Sequence, residues 1–195
     1  MIGILAVQGA FEEHKNMLEK IGARCVLLRK LSDIPPELDG IVLVGGESTV
    51  QRKLIKELGM FDALKKHIDS GVPVLATCAG LILLADEISG NEDICFGSLP
   101  VRVRRNAYGR QLGSFTAIGN IGDIKNFPMR FIRAPYIESV TSGSNDVDIL
   151  NVTDGKITAV RYKNQIAMAF HPELTNDTRL HEEFLQMISR NNRIL

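Results

Sequence analysis

Short apolar runs alternate with amphipathic stretches along the first hundred residues of the chain. The apolar runs are typical of strands that are buried on both faces. They cover residues 2–7, 24–29, 39–46 and 72–77. The stretches between them repeat apolar residues at helical spacing, as in residues 9–22, where Gly22 is the expected helix C-cap. This alternation predicts an α/β fold with a mainly parallel sheet that helices cover on both sides.

The second half of the chain, after about residue 95, has a different pattern of shorter, alternating runs. Asp154 and Gly155 lie between two such runs, and an Asp-Gly pair in that position is typical of a β-hairpin turn. The last amphipathic stretch predicts a helix with Asn176 or Asp177 as its N-cap. Because no internal repeat or linker interrupts the chain, we expect residues 1–195 to form one domain, with antiparallel strands added in its second half.

The composition and charge of the chain are those of a soluble globular protein. Hydrophobic residues make up 45% of the 195 residues, and 23 basic side chains balance 23 acidic ones, so no basic surface for nucleic acid is expected. The N-terminal segment lacks the basic region and the full apolar core of a signal peptide, and no apolar run is long enough to span a bilayer. We therefore expect a cytoplasmic protein that binds neither nucleic acid nor membrane.

The three cysteines are an odd and scattered set. Cys25, Cys78 and Cys95 form no CxxC pair and no Cys/His cluster with the spacing of zinc ligands. The sequence therefore predicts neither a disulfide framework nor a metal site, and it fits a reducing compartment.

Cys78 lies where an apolar strand turns directly into a helix-like run. This layout is that of a nucleophile elbow, in which the turn lifts the reactive group out of the fold and the next amide, here that of Ala79, can stabilise an oxyanion. Gly80 fits the usual elbow, whereas Ala76 stands where a glycine is more common. A free cysteine is also an ordinary core residue, so the bend alone leaves both interpretations open.

Four histidines could supply the base that a cysteine nucleophile needs. His171 follows an apolar strand and precedes Pro172 and Glu173. Because residues two apart in an extended segment point the same way, Glu173 could orient the His171 ring in a Cys-His-acid triad. An exposed turn at the strand end is the alternative. The other three histidines lie among charged residues in amphipathic stretches, and we expect them on solvated faces: His14, His67 and His181.

A third candidate segment, residues 42–49, is a strand that ends in two glycines followed by polar residues. Gly45 and Gly46 allow positive φ and close backbone approach, which suits an oxyanion hole or the polar atoms of a ligand. The segment carries neither a GxxxxGK(S/T) nor a GxGxxG pattern, so a phosphate loop is not indicated. An ordinary turn with Ser48 or Thr49 as helix cap is the alternative, and it accounts for the hydroxyl residues better than for the glycines.

Six segments, in family order, together resemble the glutaminase subunits of pyridoxal 5'-phosphate synthase, a branch of the triad-type glutamine amidotransferases. They are LAVQGAFEEH, GGEST, TCAGLILLA, RRNAYGRQ, FIRAP and FHPEL, and they extend from residue 5 to residue 174. The cysteine elbow and HPE mark the wider superfamily, whereas QGAFEEH, GGEST and RRNAYGRQ point to this branch. The resemblance implies a flavodoxin-like three-layer sandwich, one glutamine amidotransferase domain, that hydrolyses L-glutamine to L-glutamate and ammonia without a cofactor.

The resemblance also assigns roles to residues of this chain. Cys78 would be the nucleophile, His171 the general base and acid, and Glu173 the partner that orients His171. The substrate contacts of the family match Glu47, Ser48, Thr49, Arg105, Ile132 and Arg133. The amides expected to hold the oxyanion are those of Gly45, Gly46 and Ala79.

The family couples this subunit to a synthase subunit, which uses the ammonia to build pyridoxal 5'-phosphate from two sugar phosphates. Gln8, within QGAFEEH, lies near the docking side of the family, where docking typically stimulates the glutaminase. The chain departs from the family pattern at Val44 and at Leu75-Ala76, neither of which touches the triad.

Two other functions fit part of the pattern. A glutaminase of this kind could serve a different synthase, and a non-catalytic α/β protein could share the elbow yet only bind a small molecule or a partner. The pair His171 and Glu173 argues against a pure binding protein, which has no need of it. Arg105 and Arg133 could read the charges of the substrate, line the partner interface or be solvated charges on strands.

Overall fold

The computed structural model of the protein describes residues 1–90, 93–105, 113–141 and 146–191. Within these ranges the α-helices are α1 (Phe11–Lys20), α2 (Ser48–Glu57), α3 (Phe61–Asp69), α4 (Ala79–Leu84) and α5 (Arg179–Asn191). The strands there are β1 (Ile2–Leu5), β2 (Cys25–Leu28), β3 (Gly40–Leu43), β4 (Val74–Thr77), β5 (Ala85–Ile88), β6 (Leu99–Arg104), β7 (Ser114–Ile121), β8 (Ile124–Ile132), β9 (Tyr136–Val140), β10 (Val147–Thr153), β11 (Lys156–Tyr162) and β12 (Gln165–Met168). Short 3₁₀ turns cover Leu31–Asp33 and Pro172–Leu174.

One large sheet forms the centre of the fold. Its strands follow the order β2-β1-β3-β4-β12-β11-β9-β6-β5, and β10 pairs with β11. The strands from β2 to β12 are parallel, and β11, β9 and β6 continue the sheet in antiparallel pairs. Strands β7 and β8 form a separate antiparallel hairpin. This confirms the predicted parallel sheet with antiparallel additions from the second half of the chain.

Helices lie on both faces of the parallel strands. The chain moves one way along the sheet from β1 to β2 and the other way from β3 to β4. Because such crossovers are right-handed, α1 lies on one face and α2 and α3 lie on the opposite face. Helix α5 contacts α1 through His181 and His14, whereas α4 packs on α2, β3 and β4. The fold is therefore the three-layer, flavodoxin-like sandwich that the sequence predicts.

Turn and cap chemistry follows the local sequence at three places. Asp154 and Gly155 both have positive φ, 49° and 72°, as a two-residue hairpin between β10 and β11 requires. Gly22, with φ 88°, ends α1 and donates its amide hydrogen to the carbonyl of Glu19. At the start of α5, Asp177 Oδ1 accepts the amide hydrogen of Arg179 at 3.1 Å. Of the two predicted cap residues, Asp177 makes this bond.

Helix α4 is apolar along its whole length because it is buried on all sides. All of its residues, Ala79–Leu84, are buried, and the helix ends where Ala85 enters β5. With 6 residues, this helix is far shorter than the roughly 20 residues that cross a bilayer. Among the residues that the structure describes, no helix is both long enough and apolar enough to span a membrane.

The carboxyl ends of β1, β3, β4 and β12 meet where the strand order reverses. Open α/β sheets bind their ligands in the crevice at such a reversal. The segments that leave these four strands contain Gln8, Gly45, Cys78 and His171. The topology therefore brings distant parts of the sequence to one edge of the sheet.

Candidate active site

An open cavity of about 430 Å³ lies at this edge of the sheet. Its volume is within the range of small-molecule sites. Most of the site residues predicted from the sequence line it: Gln8, Gly45, Gly46, Glu47, Ser48, Cys78, Arg105, Ile132, Arg133 and His171. Thr49, Ala79 and Glu173 are not part of the cavity wall. Glu173 lies behind His171, where it is buried.

Cys78 occupies a strained turn between β4 and α4. Its backbone has φ 47° and ψ −99°, a conformation that residues with a side chain rarely adopt. The Cys78 amide donates to the Met168 carbonyl at 2.8 Å, which fixes the turn to β12. A Cβ on Gly80 would overlap the Leu43 carbonyl oxygen and lie 2.7 Å from its carbon, so only glycine lets α4 pack this closely on β3. The bend therefore has the geometry of a nucleophile elbow.

His171 and Glu173 form a direct hydrogen-bonded pair. His171 Nδ1 lies 2.7 Å from Glu173 Oε1, and the His171 amide donates to the carbonyl of Arg130 at 2.8 Å. The expected extended geometry is wrong, because Pro172 begins a 3₁₀ turn that carries Glu173 around behind the ring. The pair forms all the same, since that tight turn brings the carboxylate back onto the imidazole.

Burial and nearby charges set the protonation of this pair. Burial lowers the pKa of His171, but hydrogen bonds to Cys78 and Glu173, together with their negative charges, outweigh it and raise the pKa to about 10. Burial raises the pKa of Glu173, and the opposing effects of His14 and His171 bring that pKa well below its ordinary value. These contacts favour a protonated imidazole that faces the Glu173 carboxylate on one side and the Cys78 sulfur on the other.

Two histidines expected on solvated faces, His14 and His181, are fully buried behind the site. His14 Nδ1 lies 3.0 Å from His181 Nε2, and His14 Nε2 lies 3.3 Å from Glu173 Oε2. The prediction is wrong because it followed charged neighbours in sequence, whereas both histidines fall within the apolar stripes of their helices. Those stripes are Phe11, His14, Met17 and Leu18 in α1, and Leu180, His181, Phe184 and Ile188 in α5. This helical spacing was the signal for their burial. The third, His67, is half-buried, with Nε2 3.2 Å from the carbonyl of Pro35.

The two glycines after β3 are needed for close approach and not for positive φ. Neither Gly45 nor Gly46 has positive φ, so that expectation is wrong. A Cβ on Gly45 would overlap the ring of His171, and one on Gly46 would overlap Gln8 Oε1. Gln8 Oε1 also accepts the amide hydrogen of Glu47 at 2.8 Å. The glycines thus let the imidazole and the Gln8 side chain lie directly on the backbone.

Glu47 caps helix α2, whereas the alternative interpretation of this segment gave that role to Ser48 or Thr49. Glu47 Oε1 accepts the Thr49 amide at 3.4 Å and the Thr49 hydroxyl at 3.0 Å. The same oxygen lies 2.8 Å from a guanidinium nitrogen of Arg105. Ser48, in the first turn, is buried and contributes to the cavity wall. A carboxylate and a guanidinium therefore lie side by side at the rim.

The other predicted contacts come from the second half of the chain. Ile132 and Arg133 follow one another at the end of β8, and both line the cavity. Arg133 is exposed and has φ 42°, and its amide donates to the carbonyl of Gly113 at 2.6 Å. Of the segment RRNAYGRQ, only Arg104 and Arg105 are within the described residues, and its remainder, 106–111, lies outside them.

The remaining cysteines lie away from the cavity. Burial raises the pKa of Cys25 and of Cys95 to about 11 in each case, so both are neutral thiols at physiological pH. Within the part of the chain that the structure describes, no group of three or more His, Cys, Asp or Glu side chains is placed to hold a metal ion. Of the three cysteines, Cys78 alone lies in the wall of the cavity.

The chain is similar to glutamine amidotransferases in both sequence and structure. A family model described as the SNO glutamine amidotransferase family matches residues 4–190. The chain is 55% identical over 188 residues to the pyridoxal 5'-phosphate synthase subunit PdxT of Desulfitobacterium hafniense, covering 96% of this chain and 93% of that protein. It is 48% identical over 193 residues to the protein of the same name from Bifidobacterium longum, covering 96% and 100%. A crystal structure of a glutamine amidotransferase has a TM-score of 0.89 and 37% identity, covering 96% of this chain and 98% of that one.

Proposed function

Because the chain belongs to the SNO glutamine amidotransferase family, we propose that it hydrolyses L-glutamine to L-glutamate and ammonia through a Cys78–His171–Glu173 triad. It is the glutaminase subunit of a pyridoxal 5'-phosphate synthase, as the names of its relatives indicate. The observation that carries the triad is the 2.7 Å contact of His171 Nδ1 with Glu173 Oε1, beside a cysteine held in a strained elbow.

The reaction begins when the proton of the Cys78 thiol passes to His171, which leaves a sulfur anion beside a protonated imidazole. The Cys78 sulfur attacks the side-chain amide carbon of glutamine, a C–S bond forms, and the carbonyl oxygen becomes an oxyanion. The C–N bond then breaks, and ammonia leaves with the proton from His171 Nε2. Water attacks the resulting thioester while His171 takes a proton from it, and glutamate leaves as the C–S bond breaks. Glu173 remains a carboxylate throughout and holds the ring in one orientation.

Backbone amides next to Cys78 and after β3 hold the oxyanion. Ala79 is the first residue of α4, so its amide has no acceptor in a preceding helical turn. It follows Cys78 directly, which is the position that an elbow uses for this purpose. Gly45 and Gly46 supply the second amide from the facing wall of the cavity.

Charged groups at the rim bind the amino-acid end of glutamine. The Glu47 carboxylate attracts the α-ammonium group, and the Arg105 and Arg133 guanidinium groups attract the α-carboxylate. Ile132 provides an apolar wall for the methylene groups of the substrate. Ser48 and Thr49 complete the set of substrate contacts, with the Thr49 hydroxyl holding the Glu47 carboxylate in place.

The ammonia passes to a synthase subunit, which docks at the side of the cavity that carries Gln8. Gln8 is suited to report docking because its side chain bonds the amide of Glu47 next to the catalytic glycines. Residues 1–195 act as one glutamine amidotransferase domain, which is supported by the family match over residues 4–190. The protein works in the cytoplasm, where its three cysteines stay reduced and unpaired.

Glutamate release in the presence of the synthase subunit tests this proposal. The wild-type chain is expected to release glutamate, and Cys78→Ala is expected to release it about 10³-fold more slowly or not at all. A Cys78→Ala protein with full activity would rule out the triad.

A further inference from the structure

Glu173 has two carboxylate oxygens, and each faces a different histidine. Oε1 lies 2.7 Å from Nδ1 of His171. Oε2 is buried, accepts no hydrogen bond of good geometry from the described residues, and has His14 Nε2 3.3 Å away. A buried carboxylate oxygen without a partner is costly. The approach of His14 is therefore the compensation available to Oε2 on that side.

The contact of His14 with His181 indicates which nitrogen of each ring carries the hydrogen. His14 Nδ1 lies 3.0 Å from His181 Nε2, and the other nitrogen of His181, Nδ1, is buried without a hydrogen-bond partner among the described residues. A lone pair is less costly there than an unpaired N–H. His181 therefore carries its hydrogen on Nε2 and donates it to His14 Nδ1.

The same reasoning then fixes the tautomer of His14. With Nδ1 accepting from His181, His14 carries its hydrogen on Nε2. The Nε2 hydrogen bonds the hydroxyl oxygen of Thr77 at 3.2 Å, and Glu173 Oε2 lies 3.3 Å from the same nitrogen, within ion-pair distance. All donors in the chain of contacts thus point towards Glu173, from His181 through His14 on one side and from His171 on the other.

From this arrangement we propose that His14 is a positioning residue of the glutaminase reaction. His14 holds the second oxygen of Glu173, and so keeps Glu173 charged and aligned with His171. This inference rests on the proposed triad. It adds His14 of α1, which His181 of α5 contacts, as a residue that supports Glu173 from behind. His14 does not line the cavity, so its effect is on the catalytic step and not on substrate binding.

Two substitutions of similar size separate the contacts of His14. In His14→Gln, the side-chain amide nitrogen can occupy the place of Nε2, so the donor to Glu173 is retained. In His14→Asn, the shorter side chain places its amide where Nδ1 lies, so the contact with His181 is retained and the one with Glu173 is lost. Both variants remove the imidazole, and both leave a polar group in the buried site.

The test is steady-state glutamine hydrolysis by each variant with the synthase subunit present, together with its thermal midpoint. We expect His14→Asn to lower kcat about 10- to 100-fold, the cost of a misplaced catalytic group, with KM changed by less than about threefold. His14→Gln should restore most of kcat at a similar thermal midpoint. Equal kcat losses in both variants, in step with lost stability, would assign His14 a structural role only and overturn the inference.

Two further outcomes distinguish this inference from the function on which it rests. Wild-type kcat in His14→Asn, alongside an inactive Cys78→Ala protein, overturns the inference and leaves the triad intact. Absence of hydrolysis by the wild-type chain with its partner overturns the proposed function, and the role of His14 with it.

Discussion

The imidazole of His171 lies directly against the α-carbon of Gly45. A Cβ at residue 45 would overlap His171 Cε1 and lie 2.8 Å from Nδ1. The ring is therefore held between the backbone after β3 on one side and the Glu173 carboxylate on the other. Gly45 thus limits where the base can lie, in addition to its proposed part in the oxyanion hole.

Replacing Gly45 by alanine should displace this ring. A shift of about 1 Å in a catalytic group costs on the order of 100-fold in rate, so we expect at least that loss of kcat in Gly45→Ala. Gly113→Ala is the matched control, because no atom of the described residues lies near a Cβ at Gly113 and its φ is not positive. Steady-state kinetics of both variants with the synthase subunit makes the comparison. Equal activities would show that His171 does not depend on this contact.

Much of the fold follows from local sequence. Continuous apolar runs predict the parallel strands because both faces of the sheet are covered, and Asp154-Gly155 predicts the hairpin between β10 and β11 because both residues must adopt positive φ. Ala76, which replaces the more common glycine of the elbow, is buried within β4 opposite Leu43 and Ala167, and the turn itself begins at Cys78. The strand order is not predictable in this way, since it depends on pairings between distant segments.

The site is only partly predictable from the sequence, because its geometry depends on contacts between segments that are distant in the chain. Spacing alone suggested the pair His171 and Glu173, although a 3₁₀ turn and not an extended segment joins them. The burial of His14 and His181 depends on α1 and α5 lying on the same face of the sheet. The family resemblance predicts Glu47 only as a substrate contact, and its capping of α2 depends on the turn after Gly46.

The environments of the cysteines predict selective alkylation of Cys78. Burial raises the pKa of Cys25 and of Cys95 to about 11, so only about one thiol in 10⁴ is ionised at pH 7 in either residue. Cys78 has His171 as its partner, so iodoacetamide should modify it first. We expect His171→Ala to slow that modification about tenfold or more. Peptide mass spectrometry over a time course measures the three rates.

A Cys95→Ser variant is the control that tests whether a second cysteine affects the labelling of Cys78. Iodoacetamide should modify Cys78 in this variant as fast as in the wild-type protein, because Cys95 lies outside the cavity. Faster labelling of Cys25 or Cys95 than of Cys78 would contradict the assignment of the reactive thiol.

Buried groups around the triad predict a loss of stability in acid. Burial, the largest cause, lowers the pKa of His181 from 6.5 to about 3, and the pKa of Glu173 lies well below its ordinary 4.5. Both groups therefore bind more protons in the unfolded chain. Their contribution to the free energy of unfolding is complete above pH 6.5 and is lost as the pH falls towards 3, about 1.4 kcal/mol per pH unit for each proton.

His181→Gln isolates one of these two contributions. The glutamine amide can still donate to His14 but cannot take up a proton. The free energy of unfolding should therefore fall less steeply between pH 6.5 and 3, and the slope should decrease by at most about 1.4 kcal/mol per pH unit, the value for one proton. Urea denaturation at a series of pH values measures both slopes. Identical slopes would mean that His181 is not buried as a neutral group.

Glutamate formation by the chain, with and without the synthase subunit, tests the central claim most directly. We expect the synthase subunit to stimulate glutamate formation by the wild-type chain, and we expect Cys78→Ala to lower that stimulated rate by about 10³-fold or more. The Cys78→Ala protein should still form the complex, because Cys78 is only 7% exposed and lies inside the cavity. Undiminished glutamate release by a complex that contains Cys78→Ala would contradict the account.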